Sequence, residues 1–160
     1  MKLFENSNKK HLLITGSKGI GKSTLLKEIL KGHSRYGGIV TEIVIDRDST
    51  DKVILEDILN SSVCVDIGKK INNKMQPLIG GFEDTGALLL NRYRNSDRDL
   101  IVIDEIGFLE IEAKRYIKEL FLCFEDKMVI AVLRKENNEL INRIKKNEQT
   151  FLIDLDEFCR

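Results

Sequence analysis

The 160-residue chain has no tryptophan, a single proline, only three cysteines and no net charge. Its 26 basic residues are balanced by 26 acidic ones, so it lacks the positive field that general nucleic-acid binding requires, and nucleic acid is not an expected partner. No apolar run approaches the roughly 20 residues of a membrane span, and Met1–Asn6 has no apolar core of signal-peptide length. The expectation is a cytoplasmic protein with no membrane association. The cysteines include no Cys-x-x-Cys pair, which argues against metal ligation. Cys64 and Cys123 sit in apolar runs and read as buried packing residues. Cys159 reads as an exposed thiol.

What is present is a composition of average hydrophobicity, 42%, in which short apolar runs alternate with helical patterns. His11–Thr15 reads as a buried strand ending at a glycine-rich turn. Lys22–Lys31 reads as a helix with Leu25, Leu26, Ile29 and Leu30 on one face. Gly37-Gly38 is expected to break the chain before a β-branched strand, Ile39–Ile45. The polar run Asp46–Asp51 would close a hairpin onto Lys52–Leu55. In the next segment, Asp57–Gln76, Ser62–Ile67 looks like a strand and Gly68–Gln76 is polar up to Pro77; the whole is expected to be a surface excursion able to carry specificity. Glu83–Arg94 follows as a helix, Leu100–Ile103 as a buried strand and Lys114–Phe124 as a helix. Met128–Leu133 is a strand, Glu136–Lys146 a charged helix and Phe151–Ile153 a last strand. This alternation predicts an α/β fold over residues 1–160, one domain with a mainly parallel sheet between helices and its ligand at the carboxyl ends of the strands.

The turn after the first strand is Gly16-Ser17-Lys18-Gly19-Ile20-Gly21-Lys22-Ser23, which matches G-x-x-x-x-G-K-[ST] and lies between a predicted strand and a predicted helix. A triphosphate needs many short donors at once, and a glycine-rich loop can curl its N–H groups inward without Cβ clashes. The helix behind it adds its positive dipole end. Lys22 would reach the terminal phosphates, the Ser23 hydroxyl would join the oxygen shell of magnesium, and Thr24 would donate to the α-phosphate.

Leu100–Ile103 leads into Asp104-Glu105, an apolar strand ending in two carboxylates. Side chains alternate along a strand, so the two are expected to leave it in different directions. Asp104 would bind magnesium together with Ser23, and Glu105 would polarise an attacking water. Gly107 would let the chain turn beneath the nucleotide. Glu110 and Glu112 read as solvated or capping charges. Arg134, just past Met128–Leu133, reads as a solvated strand-end arginine, the alternative being a charge stabiliser near the γ-phosphate.

At Gly16–Thr24, Gly38–Glu42 and Leu100–Gly107 the chain resembles the THEP-type nucleoside-triphosphatases in order, spacing and overall length. The resemblance implies a small P-loop protein that hydrolyses ATP, GTP and other nucleoside triphosphates with magnesium and little base discrimination. Two other readings share the phosphate loop. A small nucleotide or nucleoside kinase would replace water by an acceptor; such enzymes use an arginine-rich lid, and Arg143 is the only arginine between Glu136 and the terminal Arg160. A nucleotide-dependent switch would act through a protein partner, which nothing in the sequence indicates.

Overall fold

Five consecutive buried residues, His11–Thr15, form strand β1 in the parallel half of the sheet, one strand in from its edge. The computed structural model of the chain describes residues 2–45 and 51–158. The remaining strands are β2 (Tyr36–Ile45), β3 (Asp51–Asp57), β4 (Asn60–Ile71), β5 (Lys74–Pro77), β6 (Leu100–Ile106), β7 (Met128–Leu133) and β8 (Thr150–Asp154). The helices are α1 (Lys2–Glu5), α2 (Lys22–Leu30), α3 (Ile79–Gly81), α4 (Ala87–Arg94), α5 (Lys114–Asp126), α6 (Glu139–Lys145) and α7 (Leu155–Phe158), with a π-helical turn, Phe82–Gly86, joining α3 to α4.

The strands form one sheet of order β5-β4-β3-β2-β6-β7-β1-β8. From β2 through β8 every pairing is parallel, while β2, β3, β4 and β5 make an antiparallel meander on the other side. The expected α/β fold with a mainly parallel sheet is therefore present. Alternate residues of the same strands feed two cores. Leu13, Ile101, Ile103, Val129 and Ala131 pack beneath α4, α5 and α6. Leu12, Ile14, Val102, Ile130 and Val132 pack beneath α1 and α2. Each fully buried Leu or Ile in these layers contributes about 1.5–3 kcal/mol, which fixes strand register, because a one-residue slip would exchange the two faces.

Several expectations are corrected. Gly37 and Gly38 do not break the chain; they lie inside β2, paired with Ile101 and Val102. Gly38 has φ +147°, and a Cβ there would stand 1.9 Å from the Val102 carbonyl oxygen. Glycine serves close backbone approach here, not a turn. Gly68–Gln76 lies largely at the surface, as expected, but is regular: it forms the end of β4 and most of β5, joined through Asn72 and Asn73 at φ +49° and +60°. Two adjacent left-handed asparagines make the two-residue hairpin turn that suits the twist of antiparallel strands. Its outer face is polar because that side of the meander is open to water.

The same one-sidedness exposes Cys64, whose neighbours Val63 and Val65 turn inward onto the core. Cys123 is buried as expected, and burial pushes its thiol up to about 12. The helix expected over Glu83–Arg94 starts earlier, at Ile79, and contains the π-helical turn. That expected from Glu136 starts only at Glu139, because the Asn138 side chain caps it by accepting from the Ile141 N–H. The Asp46–Thr50 part of the polar turn and Cys159 lie outside the described residues, but the antiparallel β2–β3 pairing bears out the hairpin.

Candidate functional site

Strand β1 delivers the chain to Gly16 at the carboxyl end of the parallel strands, and Gly21 is the N-cap of α2 at φ +103°, a left-handed conformation that a side chain would strain. No side chain caps α2, so its first N–H groups stay available beside the loop. Lys22 folds back across the loop and donates from Nζ to the carbonyls of Gly16 and Ser17, both at 2.9 Å.

The Ser23 hydroxyl donates to Asp104 Oδ1 at 3.1 Å. This contact ties the start of α2 to β6. Burial raises the Asp104 pKa above the usual carboxylate range; the Ser23 hydrogen bond opposes the rise and the neighbouring Glu105 charge adds to it.

Asp104 and Glu105 do not sit at a plain strand end. Ile103 pairs with Ala131 and Ile106 with Leu133, so two residues of β6 face one of β7 in a β-bulge. Glu105 takes φ +87°, a left-handed conformation that costs a residue with a Cβ about 1–2 kcal/mol. The bulge re-aims the two carboxylates: Asp104 meets Ser23, while Glu105 enters the cleft over the loop. The expectation that they point apart is met, by a device other than simple alternation.

That cleft, about 620 Å³, is lined by Gly16, Ser17, Lys18, Gly19, Gly21, Lys22, Ser23, Thr24, Glu105 and Arg134 among others. Three residues expected to contact the ligand do not line it. Ile20 turns back toward Gly16. Asp104 borders the cleft only through Ser23, and Gly107 lies behind it, close under Arg134, where a Cβ would stand 2.5 Å from Arg134 Cδ.

Arg134 is not simply solvated. Its Nη1 lies 3.4 Å from Glu105 Oε1, its Nε 3.0 Å from Glu136 Oε1, and its guanidinium stands over the Phe108 ring. Glu110 is not solvated either. It is 3% exposed and accepts from the Gly107 N–H at 2.8 Å, and burial pushes its carboxyl up to about 7.

Sequence reasoning missed Thr41, whose hydroxyl donates to the Asp104 carbonyl at 2.9 Å. It also missed the carboxyl-terminal group. Asp156 accepts from Ser17 and, with Asp154, pairs with Lys135. No local motif marks Asp156; Thr41 falls within the Gly38–Glu42 segment already singled out.

Residues 11–160 match the profile of the family described as NTPase. The nucleoside-triphosphatase THEP1 of Thermotoga maritima is 28% identical over 158 residues, covering 91% of this chain and 86% of that protein. The THEP1 of Archaeoglobus fulgidus is 26% identical over 149 residues, covering 88% and 87%. The crystal structure of THEP1 from the hyperthermophile Aquifex aeolicus superposes with a TM-score of 0.72 at 23% identity, over 91% of this chain and 89% of that one. The solution structure of a human cancer-related nucleoside triphosphatase gives 0.66 at 19% identity, over 94% and 95%. These two share the fold. With the phosphate loop, the Asp104-Glu105 pair and a match spanning nearly all its length, this chain belongs to the NTPase family.

Proposed function

We propose that the chain hydrolyses nucleoside triphosphates to the diphosphate and phosphate, with magnesium and broad base specificity, in the cytoplasm. The observation that carries this reading is the Glu105 carboxylate, turned by the bulge into the same cleft as the phosphate loop. The THEP1 relatives are named for the same reaction. The described residues contain no helix long and apolar enough to cross a membrane.

Lys22 and the N–H groups of the loop and α2 bind the phosphates. Glu105 holds a water and draws on its proton as the water attacks the γ-phosphorus and the bond to the bridging oxygen breaks. Arg134 sets a positive charge beside the group being transferred. The cleft lining supplies loop backbone and charges suited to phosphate.

Ser23 and Asp104 would hold the magnesium. Both offer oxygen, the donor magnesium prefers, and their separation of 3.1 Å is close to the roughly 2.9 Å between neighbouring ligands in an octahedral shell. When bound, the ion neutralises phosphate charge.

Glu105→Gln tests the reading. Hydrolysis should fall by roughly two to four orders of magnitude, with triphosphate affinity within a few-fold of wild type. Phosphate transfer to an added acceptor that survived this change would favour a kinase. Phosphate release at the wild-type rate would remove the water-activating role.

A further inference from the structure

Glu105 is held in its left-handed conformation between peptides that are fixed on both sides. Before it, the Asp104 carbonyl accepts from the Thr41 hydroxyl. After it, the Ile106 carbonyl accepts from the Arg134 N–H at 2.9 Å. Gly107 is then gripped twice by side chains: its N–H donates to Glu110 Oε1 at 2.8 Å, and its carbonyl accepts from Asn138 Nδ2 at 3.0 Å. The two grips come from different segments, one from the turn after β6 and the other from the cap of α6.

Glu110 is buried, and among the described residues it forms no ion pair. A carboxyl without a countercharge is an expensive way to fill apolar space. Beside its own backbone N–H, its carboxyl is bonded by the N–H of Gly107, the residue two places beyond Glu105. Asn138 could cap α6 through Oδ1 alone, as a serine would, yet its amide nitrogen also reaches Gly107.

We propose that Glu110 and Asn138 are positioning residues that clamp the two peptides flanking Gly107, one each, and so hold the Glu105 carboxylate in the cleft. The clamp rests on the hydrolase reading above. Neither residue touches the reacting atoms. Without the grips, the Ile106–Gly107 and Gly107–Phe108 peptides lose their side-chain partners, and the segment is held only through the Arg134 N–H on the Ile106 carbonyl; φ of Glu105 can then relax toward the negative values that a residue with a Cβ prefers, and the carboxylate swings away from the phosphate loop. A displacement of about 1 Å at a reacting group is enough to cost on the order of a hundredfold in rate.

The test is steady-state kinetics of Glu110→Ala, Glu110→Gln and Asn138→Ser, with triphosphate affinity measured by calorimetry. Glu110→Ala should lower kcat by roughly 10- to 100-fold with KM within about threefold, because the phosphate loop is untouched. Glu110→Gln keeps an acceptor oxygen at the same place and should restore kcat to within about threefold of wild type. Asn138→Ser keeps the cap, loses the reach to Gly107 and should lower kcat by roughly 5- to 30-fold. Added to Glu105→Gln, Glu110→Ala should change the rate by less than about twofold, since both act through one carboxylate.

If Glu110→Ala does not fold, Glu110→Gln and Asn138→Ser carry the test, because both preserve the local packing. Equal impairment of the Ala and Gln variants overturns the clamp, as does Asn138→Ser at the wild-type rate. Glu110→Ala at the wild-type rate while Glu105→Gln is impaired also overturns the clamp and leaves the hydrolase reading standing. Glu105→Gln at the wild-type rate overturns both.

Discussion

Asp156 Oδ2 accepts from both the backbone N–H and the hydroxyl of Ser17, each at 3.0 Å, so the last described helix is tied to the second residue of the phosphate loop. Lys135 joins the same carboxylate at 2.6 Å, and that partner, together with the Ser17 contacts, lowers its pKa to about 2. The tie is therefore ionised at every pH at which the protein would be assayed. Asp156→Ala should weaken triphosphate binding by roughly three- to tenfold with little change in kcat, because it loosens the loop without touching Glu105. Asp156→Asn, which keeps an acceptor for Ser17, should fall between the two. Calorimetry and steady-state kinetics measure both.

Asp104→Asn should raise the magnesium concentration needed for half-maximal hydrolysis by roughly tenfold or more, since a neutral amide holds hydrated magnesium far less strongly than a carboxylate. Its hydrogen bond with Ser23 can persist through the amide oxygen, so the thermal midpoint should move little. A titration of rate against magnesium that coincides with wild type would take Asp104 out of the metal shell.

Gly38→Ala should destabilise the fold by at least roughly 3 kcal/mol or prevent folding, because the new methyl meets a β6 carbonyl and the backbone conformation is strained as well. Gly80→Ala is the matched control. Open space surrounds that position in α3, and the change should stabilise by about 0.5–1 kcal/mol. Urea unfolding separates the two.

His11 is 1% exposed, accepts from the Val129 N–H through Nδ1 at 3.2 Å, and leaves Nε2 without a partner. Burial and the charge of Lys10 lower its pKa from 6.5 to about 4. The unfolded chain therefore binds the proton first as the solution is acidified. The stability contribution is complete above pH 6.5 and is lost progressively between pH 6.5 and 4, amounting to about 2 kcal/mol by pH 5. His11→Asn offers an uncharged acceptor for Val129, so the difference between the wild-type and variant urea midpoints should change across this window and level off above it.

The parts of the site that were legible in sequence are those built from neighbouring residues. Gly16–Ser23 carries its own chemistry, and the apolar run Leu100–Ile103 announces a buried strand with Asp104 and Glu105 at its end. The bulge was not legible, because it arises from the register of Ile103–Ile106 against Ala131–Leu133 and not from β6 itself. Asp156 and Ser17 lie 139 residues apart, a distance that no local pattern bridges. Gly37-Gly38 was misread because glycine marks both turns and close packing, and only the Val102 carbonyl and the Tyr93 ring decide between them. Asn72-Asn73 was a usable turn signal, hidden by the polar residues around it.

The strand order has a consequence for how the chain is made. Among the described strands β1, which carries the phosphate loop, leaves the ribosome before the others, but it pairs with β7 and β8, which leave after them. The meander of β2 to β5 can close from local hairpins as soon as it is synthesised. The loop, by contrast, gains its seat in the sheet only after residues beyond Met128 have appeared, when β1 is inserted between strands from the other end of the chain. Nucleotide affinity should therefore arise late in translation, as a property of the finished sheet and not of the growing chain.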